Sequence, residues 1–333
     1  MRIEHVAPAQ LDRLRDLWLE LHRHHQAVAP ELAPFVTDEA SWIVRRAFYA
    51  DVLRQGGVAL VVRSGERDLG YALAGPEPAP WPATFVTAPE VQELQTLVLV
   101  PEARGRGIGS MLLDEIEATR PAGDRAIGVI PGNVRAVGLY ERRGFVPTWL
   151  TLTRFGRPPE PGPVRASEPV AAVAADEVGS LEPLWLELHH HHQAVAPRLG
   201  PFVGDGPSWE LVRALFTAAA GDGLLLRTGP AGAPTGLACV AVSRDDPLWN
   251  DTWITGREVA ETKMLVVADG ARRRGIGSAL LDEVDRRLAD AAVRDQVIGA
   301  IAPNAGAIQL YRRRGFRPAW LQLTRFAARA TGR

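Results

Sequence analysis

Cysteine is nearly absent: Cys239 is the single one in 333 residues. No intrachain disulfide can form, and Cys239 sits in an apolar run that reads as core. A dominant charge is missing too. Lys and Arg number 38 and Asp and Glu 39, a formal net charge of −1. That balance lacks the basic footprint of a nucleic-acid-binding domain. No apolar run reaches membrane length and no leader pattern is visible. The expectation is a cytoplasmic protein with neither nucleic acid nor membrane as a partner.

What the chain does have is one motif written twice. Arg104-Gly105-Arg106-Gly107-Ile108-Gly109-Ser110 precedes the apolar helix start Met111-Leu112-Leu113. Arg272-Arg273-Arg274-Gly275-Ile276-Gly277-Ser278 precedes Ala279-Leu280-Leu281. Each follows a strand-like run, Leu97–Val100 or Met264–Val267. Strand, glycine loop and helix start in that order form an anion-binding corner: small residues admit backbone N–H groups to a phosphate, and the helix dipole adds positive potential. The spacing fits neither the G-x-G-x-x-G dinucleotide pattern nor the Gly-Lys-Ser/Thr nucleotide loop. Both copies fit R-x-x-G-x-G. Gly105 of the first copy corresponds to Arg273 of the second; the extra arginines serve phosphates or are simply solvated.

A second shared element lies downstream. Asn133 precedes Tyr140-Glu141-Arg142-Arg143-Gly144-Phe145, and Asn304 precedes Tyr311-Arg312-Arg313-Arg314-Gly315-Phe316. With the R-x-x-G-x-G loops, this pair of elements resembles the GNAT acyltransferase superfamily. The resemblance covers nearly the whole chain. It implies that the loops cradle the pyrophosphate of acetyl-coenzyme A, with Val98, Val100 and Val266 on the strands leading to them. It also implies that Tyr140 and Tyr311 lie beside the thioester sulfur, and that pantetheine enters a wedge where the sheet splays after its fourth strand.

The repeat is a domain duplication. Leu17-Trp18-Leu19-Glu20-Leu21-His22 recurs at Leu184-Trp185-Leu186-Glu187-Leu188-His189, an offset of 167 (184 − 17). The offset grows to 171 at Tyr140 and Tyr311, so insertions are confined to loops. The chain is long enough for two domains with their own cores. Residues 1–156 form the first, a Pro/Gly-rich linker spans 157–168, and 169–333 form the second. In copy one, helices are expected at 11–28, 41–54, 110–118 and 134–143. Strands are expected at 58–62, 69–74, 90–100 and 126–130, with 148–155 as the closing strand. Copy two repeats this order, with early strands at 224–227 and 236–242. The fold class is α/β: two tandem domains, each a mixed twisted sheet with helices on both faces. A fused pseudo-dimer of this kind is expected to be a monomer.

Acyl transfer to an amine needs a deprotonated nucleophile and a protonated leaving thiolate. A lysine-type amine titrates near ~10.4, so a base or a desolvated pocket must assist. Glu93 and Glu261 are the candidate bases, each 11 residues before its loop arginine (104 − 93, 272 − 261). That interval resembles the position of the catalytic glutamate in histone-type GNAT enzymes. Strand alternation places Glu93 on one face with Gln95 and Leu97. The alternative is a solvated carboxylate at a strand start; Glu90 and Glu258 recur as fallback bases. Tyr140 and Tyr311 are the candidate general acids, since a phenol keeps its proton at neutral pH.

The acceptor site is read from Leu21-His22-Arg23-His24-His25-Gln26, mirrored by Leu188-His189-His190-His191-His192-Gln193. His25 and His192 continue the buried stripe of the first helix, where they would orient or deprotonate an amine, or close a hydrogen-bonded helix end. No metal site is expected, for no cysteine or carboxylate completes a ligand set. Trp81 and Trp249, before the fourth strand of each copy, wall an apolar pocket or pack. The reading is an acetyl-coenzyme A-dependent N-acetyltransferase acting on a primary amine of a small molecule. Two alternatives stand beside it: an acyl-coenzyme A sensor, or an enzyme with one structural or regulatory half, as in some tandem family members; and a protein or peptide N-acetyltransferase.

Overall fold

The computed structural model describes residues 1–78, 81–88, 90–119, 123–156, 168–221, 224–244 and 251–327. The first half runs β1 (Arg2–His5), α1 (Arg15–Val28), α2 (Asp38–Arg54), β2 (Val58–Ser64), β3 (Arg67–Pro78), β4 (Glu90–Leu99), α3 (Ile108–Ala118), β5 (Arg125–Val129), α4 (Val134–Arg142) and β6 (Val146–Arg154). The second half repeats it as β7 (Val170–Ala172), α5 (Glu182–Val195), α6 (Asp205–Gly221), β8 (Leu225–Thr228), β9 (Gly236–Arg244), β10 (Glu258–Val267), α7 (Ile276–Asp290), β11 (Asp295–Ile301), α8 (Ala305–Arg313) and β12 (Arg317–Arg325). The short strands β1 and β7 carry too few residues to show alternation, and the sequence reading omits them. The linker at 157–167 lies outside the described residues.

Helices cover both faces. On one, α1 and α2 bury Trp18, Trp42 and Tyr49 against Val61, Leu73 and Val98 of the sheet. On the other, α3 packs Ile108, Leu112 and Ile116 against Ala72, Leu94 and Ile127. Full burial of each large apolar side chain contributes about 1.5–3 kcal/mol. The second half repeats both layers, and Cys239 is core as expected, its thiol pushed up to about 12 by burial.

All twelve strands join one sheet, in the order β1-β2-β3-β4-β5-β12-β6-β11-β10-β9-β8-β7. This corrects the placement of the closing strand. The segment β6 does not close the first half; it pairs with β11 of the second, while β12 pairs with β5 of the first. The two exchanged strands pair with each other at the centre. Each is locked into the opposite half by an arginine. From β6, Arg154 donates to the Arg314 carbonyl at 2.9 Å, pairs with buried Asp285 and lies over the Phe316 ring. From β12, Arg325 donates to the Arg143 carbonyl at 3.0 Å, pairs with Glu117 at 2.9 Å and lies over Phe145.

Two irregularities shape the sheet where the site forms. The strand β4 pairs in parallel with β5 only from Gln92 to Leu94, so their outer ends part into a wedge. Strands β10 and β11 pair from Val259 to Thr262 and then part likewise. At the start of each wedge one residue is extra: Gln95 in β4 and Lys263 in β10. These bulges break the two-residue alternation. Glu93 therefore shares its face with Thr96 and Val98, towards α1 and α2, while Leu94, Leu97 and Leu99 face α3. The grouping of Glu93 with Leu97 is corrected accordingly.

Candidate active site

The two glycine loops have the geometry the motif implies. Gly107 and Gly275 stand in the left-handed region at φ +77° and +83°, where glycine carries no steric penalty. The first helical hydrogen bonds run from Met111 N to Gly107 O and from Ala279 N to Gly275 O. The amides of Ile108, Gly109 and Ser110, and of Ile276, Gly277 and Ser278, precede them and have no intrahelical acceptor. Space above Gly105 and Gly107 is open. Arg273 adopts φ +62° where Gly105 stands in copy one, at a cost of about 1–2 kcal/mol. Arg104 and Arg272 brace their loops from below, donating to Leu99 O and Val267 O at 3.1 and 3.2 Å. Arg104 also pairs with Glu20 at 3.2 Å and Arg272 with Asp269 at 2.6 Å. Arg106 is exposed, and Arg274 pairs with Glu168 at 3.1 Å. The Val100 amide donates to Leu69 O, while Val98 and Val266 are buried at the wedge.

Asn133 and Asn304 cap α4 and α8, accepting from Ala136 N and Ala307 N at 3.3 and 3.1 Å. The caps set the helices that carry Tyr140 and Tyr311 against Phe145 and Phe316. Both phenols are raised above their ordinary value by burial, so both hold their protons throughout the neutral range.

The two acidic candidates differ. Glu93 is pushed up to about 7, first by burial and then by the nearby Glu77, against a hydrogen bond from Gln322. Gln322, 3.5 Å from Glu93 Oε1, arrives on the exchanged strand β12, and Gln95 holds Glu77 at 2.9 Å. Glu261 is about half exposed and ion-paired with Lys263, two positions along its own strand. The fallback residues lie at the strand starts: Glu90 is exposed, and Glu258 pairs with Arg244 at 2.6 Å.

A larger asymmetry lies between the helices and the sheet. In the first half, Tyr49 bonds Tyr71 at 2.8 Å and Thr96 at 2.6 Å, all three buried. Arg45 lies 4.2 Å from the Trp18 ring centre and pairs with Asp251, which comes from the second half. The corresponding residues of the second half are Val212, Phe216, Leu237 and Met264, and Ala83 replaces Asp251. A polar cluster in one half is thus an apolar core in the other. Comparing residues at the repeat offset reveals this, and the sequence reading did not make that comparison.

The remaining candidates meet across the halves. The loop bearing Trp81 docks on the second half: Val86 N donates to Pro201 O at 2.9 Å, and Ser208 donates to Ala83 O at 2.6 Å. Trp81 stacks on Trp149 of β6, whose ring also meets His192 edge-on. Trp249 lies outside the described residues. On the first half, the loop at 251–254 docks reciprocally, with Val36 N donating to Thr252 O. Trp320 of β12 covers Gly128 so closely that a Cβ there would fall 2.0 Å from its indole nitrogen. Neither exchanged tryptophan was singled out from sequence. His25 and His192 are lowered to about 3, chiefly by burial, so neither can hold an amine's proton near neutrality. That burial favours orienting an amine or closing the helix end over taking a proton. His22 and His189 are fully buried and tied to Val36 O and Val203 O. Among the described residues no cluster of metal-ligating groups is present and no helix is long and apolar enough to cross a membrane.

Comparison with known proteins agrees with this geometry. Residues 13–145 match the model of the acetyltransferase (GNAT) family, and residues 232–318 match that of an acetyltransferase (GNAT) domain. A mycothiol acetyltransferase of Parafrankia sp. (strain EAN1pec) is 28% identical over 284 residues, covering 79% of this chain and 81% of that protein. A GCN5-related N-acetyltransferase from Sphaerobacter thermophilus superposes with a TM-score of 0.57 at 18% identity, covering 98% of this chain and 95% of that one. A GCN5-related glucosamine N-acetyltransferase region of a fungal multi-domain β-N-acetylglucosaminidase gives 0.55 at 14% identity, over 98% of this chain and 38% of that one.

Proposed function

Since the chain belongs to the GNAT acetyltransferase family and is a tandem acyltransferase, we propose that its first half transfers acetyl from acetyl-coenzyme A to a primary amine of a small polar molecule. One observation carries this: Glu93, raised to about 7 beside Gln322 at the closed end of the wedge, is a base matched to neutral pH. The helix-start amides of Ile108, Gly109 and Ser110, with open space above Gly105 and Gly107, fit a pyrophosphate. Bound acetyl-coenzyme A supplies the activated acyl carbon. Glu93 takes the proton of the attacking amine, directly or through a water. The β4 amides that face the wedge, those of Leu97 and Leu99, polarise the carbonyl in place of Val98, whose amide like that of Val100 is turned to β3, and Tyr140 returns a proton to the sulfur side.

The polar cluster of Arg45, Tyr49, Tyr71 and Thr96, with Asp251, supports placing acceptor recognition in the first half. The relative named a mycothiol acetyltransferase supports a small-molecule acceptor over a peptide. The second half keeps its loop and Tyr311 but lacks the polar cluster, which favours an enzyme with one catalytic and one regulatory half. We hold the functional units to be 1–156 and 169–333 about a linker at 157–168, working as a monomer through the shared sheet. The test is thiol release from acetyl-coenzyme A across a panel of small amines and peptides. Glu93→Gln abolishing release while Glu261→Gln leaves it intact supports the proposal; the reverse refutes it.

A further inference from the structure

Lys263 is the chain's only lysine. It occupies the bulge of β10, at the start of the second wedge, and its ammonium is paired with Glu261. Its side chain is 37% exposed. The first half has Gln95 at this position, committed to Glu77; the second half has Ser243 where Glu77 stands. The second half also retains the thioester-handling parts: the helix-start amides after Gly275, the buried Tyr311, and Glu261 on the acceptor face. What it lacks is the first half's polar cluster, for Val212, Phe216, Leu237 and Met264 are apolar core at those positions. The wedge therefore combines an acyl-donor site, no polar groups for a separate acceptor and one amine of its own.

We propose that Lys263 is an acetylation site, modified in cis by the second half. This rests on acetyl-coenzyme A being the ligand of the glycine loops. Glu261 takes a proton from the ammonium with which it is paired. The freed Nζ lone pair forms a bond to the thioester carbon, the carbon–sulfur bond breaks, Tyr311 protonates the departing thiolate, and the second proton shed by Nζ restores the Tyr311 phenol. The products are N-acetyllysine and coenzyme A, with no further reactant. The transfer removes the cation opposite Glu261, so the second half changes charge according to acetyl-coenzyme A supply.

The experiment is incubation of the full chain with radiolabelled acetyl-coenzyme A and no added amine, followed by intact mass measurement and peptide mapping. The expected result is one acetyl group per chain, on Lys263, absent from Lys263→Arg, lost in Gly275→Glu and retained in Gly107→Glu. Because Gly275→Glu strains the loop, the wild-type chain is also labelled over a range of acetyl-coenzyme A and with excess free coenzyme A. Labelling in the site saturates and is blocked by free coenzyme A. Labelling that rises linearly and resists competition is spontaneous acylation and overturns the proposal. Calorimetry separates the two readings. Acetyl-coenzyme A bound at the second loop with Lys263 unmodified overturns this inference alone. No binding at either loop overturns the proposed function beneath it as well.

Discussion

Replacing Glu93 by glutamine removes one proton acceptor and leaves the shape of the wedge. Its carboxyl is raised from the ordinary 4.5 to about 7, so the base form dominates only above neutrality. Below that midpoint the ionised fraction falls about tenfold per pH unit, and kcat/KM must fall with it if Glu93 accepts the amine proton. Glu93→Gln should lower turnover by about 10²–10⁴-fold and remove this acid limb. The neighbours give the sign of two finer effects. Glu77 raises the Glu93 value by like charge and Gln322 lowers it by hydrogen bonding. Glu77→Gln should therefore move the inflection to lower pH, and Gln322→Leu to higher pH. The assay is coulometric or colorimetric thiol release at subsaturating amine, across the neutral range. An acid limb that survives in Glu93→Gln, or moves upward in Glu77→Gln, refutes the reasoning.

Other outcomes follow from the same geometry. Tyr140→Phe should cut acetylation of an added amine by about 10²–10⁴-fold with little change in coenzyme affinity, while Tyr311→Phe leaves that turnover near wild type; equal losses in the two variants would count against a division of labour. Calorimetry should give two coenzyme A sites per chain, one removed by Gly107→Glu and the other by Gly275→Glu. Asp251→Ala leaves the buried Arg45 charge uncompensated and should cost about 3–5 kcal/mol in denaturant unfolding, as should Arg45→Val. The double variant, which copies Val212 and Ala83, should cost far less than the two together, and simple additivity would show that the pair is not coupled. His25 and His192 are lowered in the folded state, so their stability contribution is present above the unfolded value of 6.5 and is lost as pH falls towards about 3. Stability should fall by about 1.4 kcal/mol per pH unit for each of them; His192→Gln should reduce that slope, as followed by unfolding midpoint.

The glycine loops, the capped α4 and α8 and the alternation of strands and helices were legible because each is set by local spacing. The exchange of β6 and β12 was not. Their sequences, Leu150-Thr151-Leu152-Thr153-Arg154 and Leu321-Gln322-Leu323-Thr324-Arg325, carry the same pattern, so either strand suits either sheet. The seats of Arg154 and Arg325 in the opposite halves are repeat equivalents as well, so local sequence does not distinguish the exchanged from the unexchanged pairing. The face of Glu93 was misread because a bulge leaves no mark in hydrophobic alternation. Its neighbour Gln322 was invisible for a related reason: the two lie 229 residues apart. The contrast between Arg45 and Val212, by comparison, was available at a fixed offset.

The exchange also orders events during synthesis. The Arg143 carbonyl accepts its hydrogen bond from Arg325, 182 residues later. When the first half leaves the ribosome its sheet has an open edge at β5, and Glu93 has no Gln322. Contacts so distant in sequence are slow to form, and an open strand edge invites pairing with another chain. A nascent chain stalled between Asp251 and β12 should therefore be inactive and sticky, although it already carries the first half's entire polar cluster. On the proposed mechanism acetyl transfer should begin only when the last strand arrives, which would make activity itself a report that translation has run through β12.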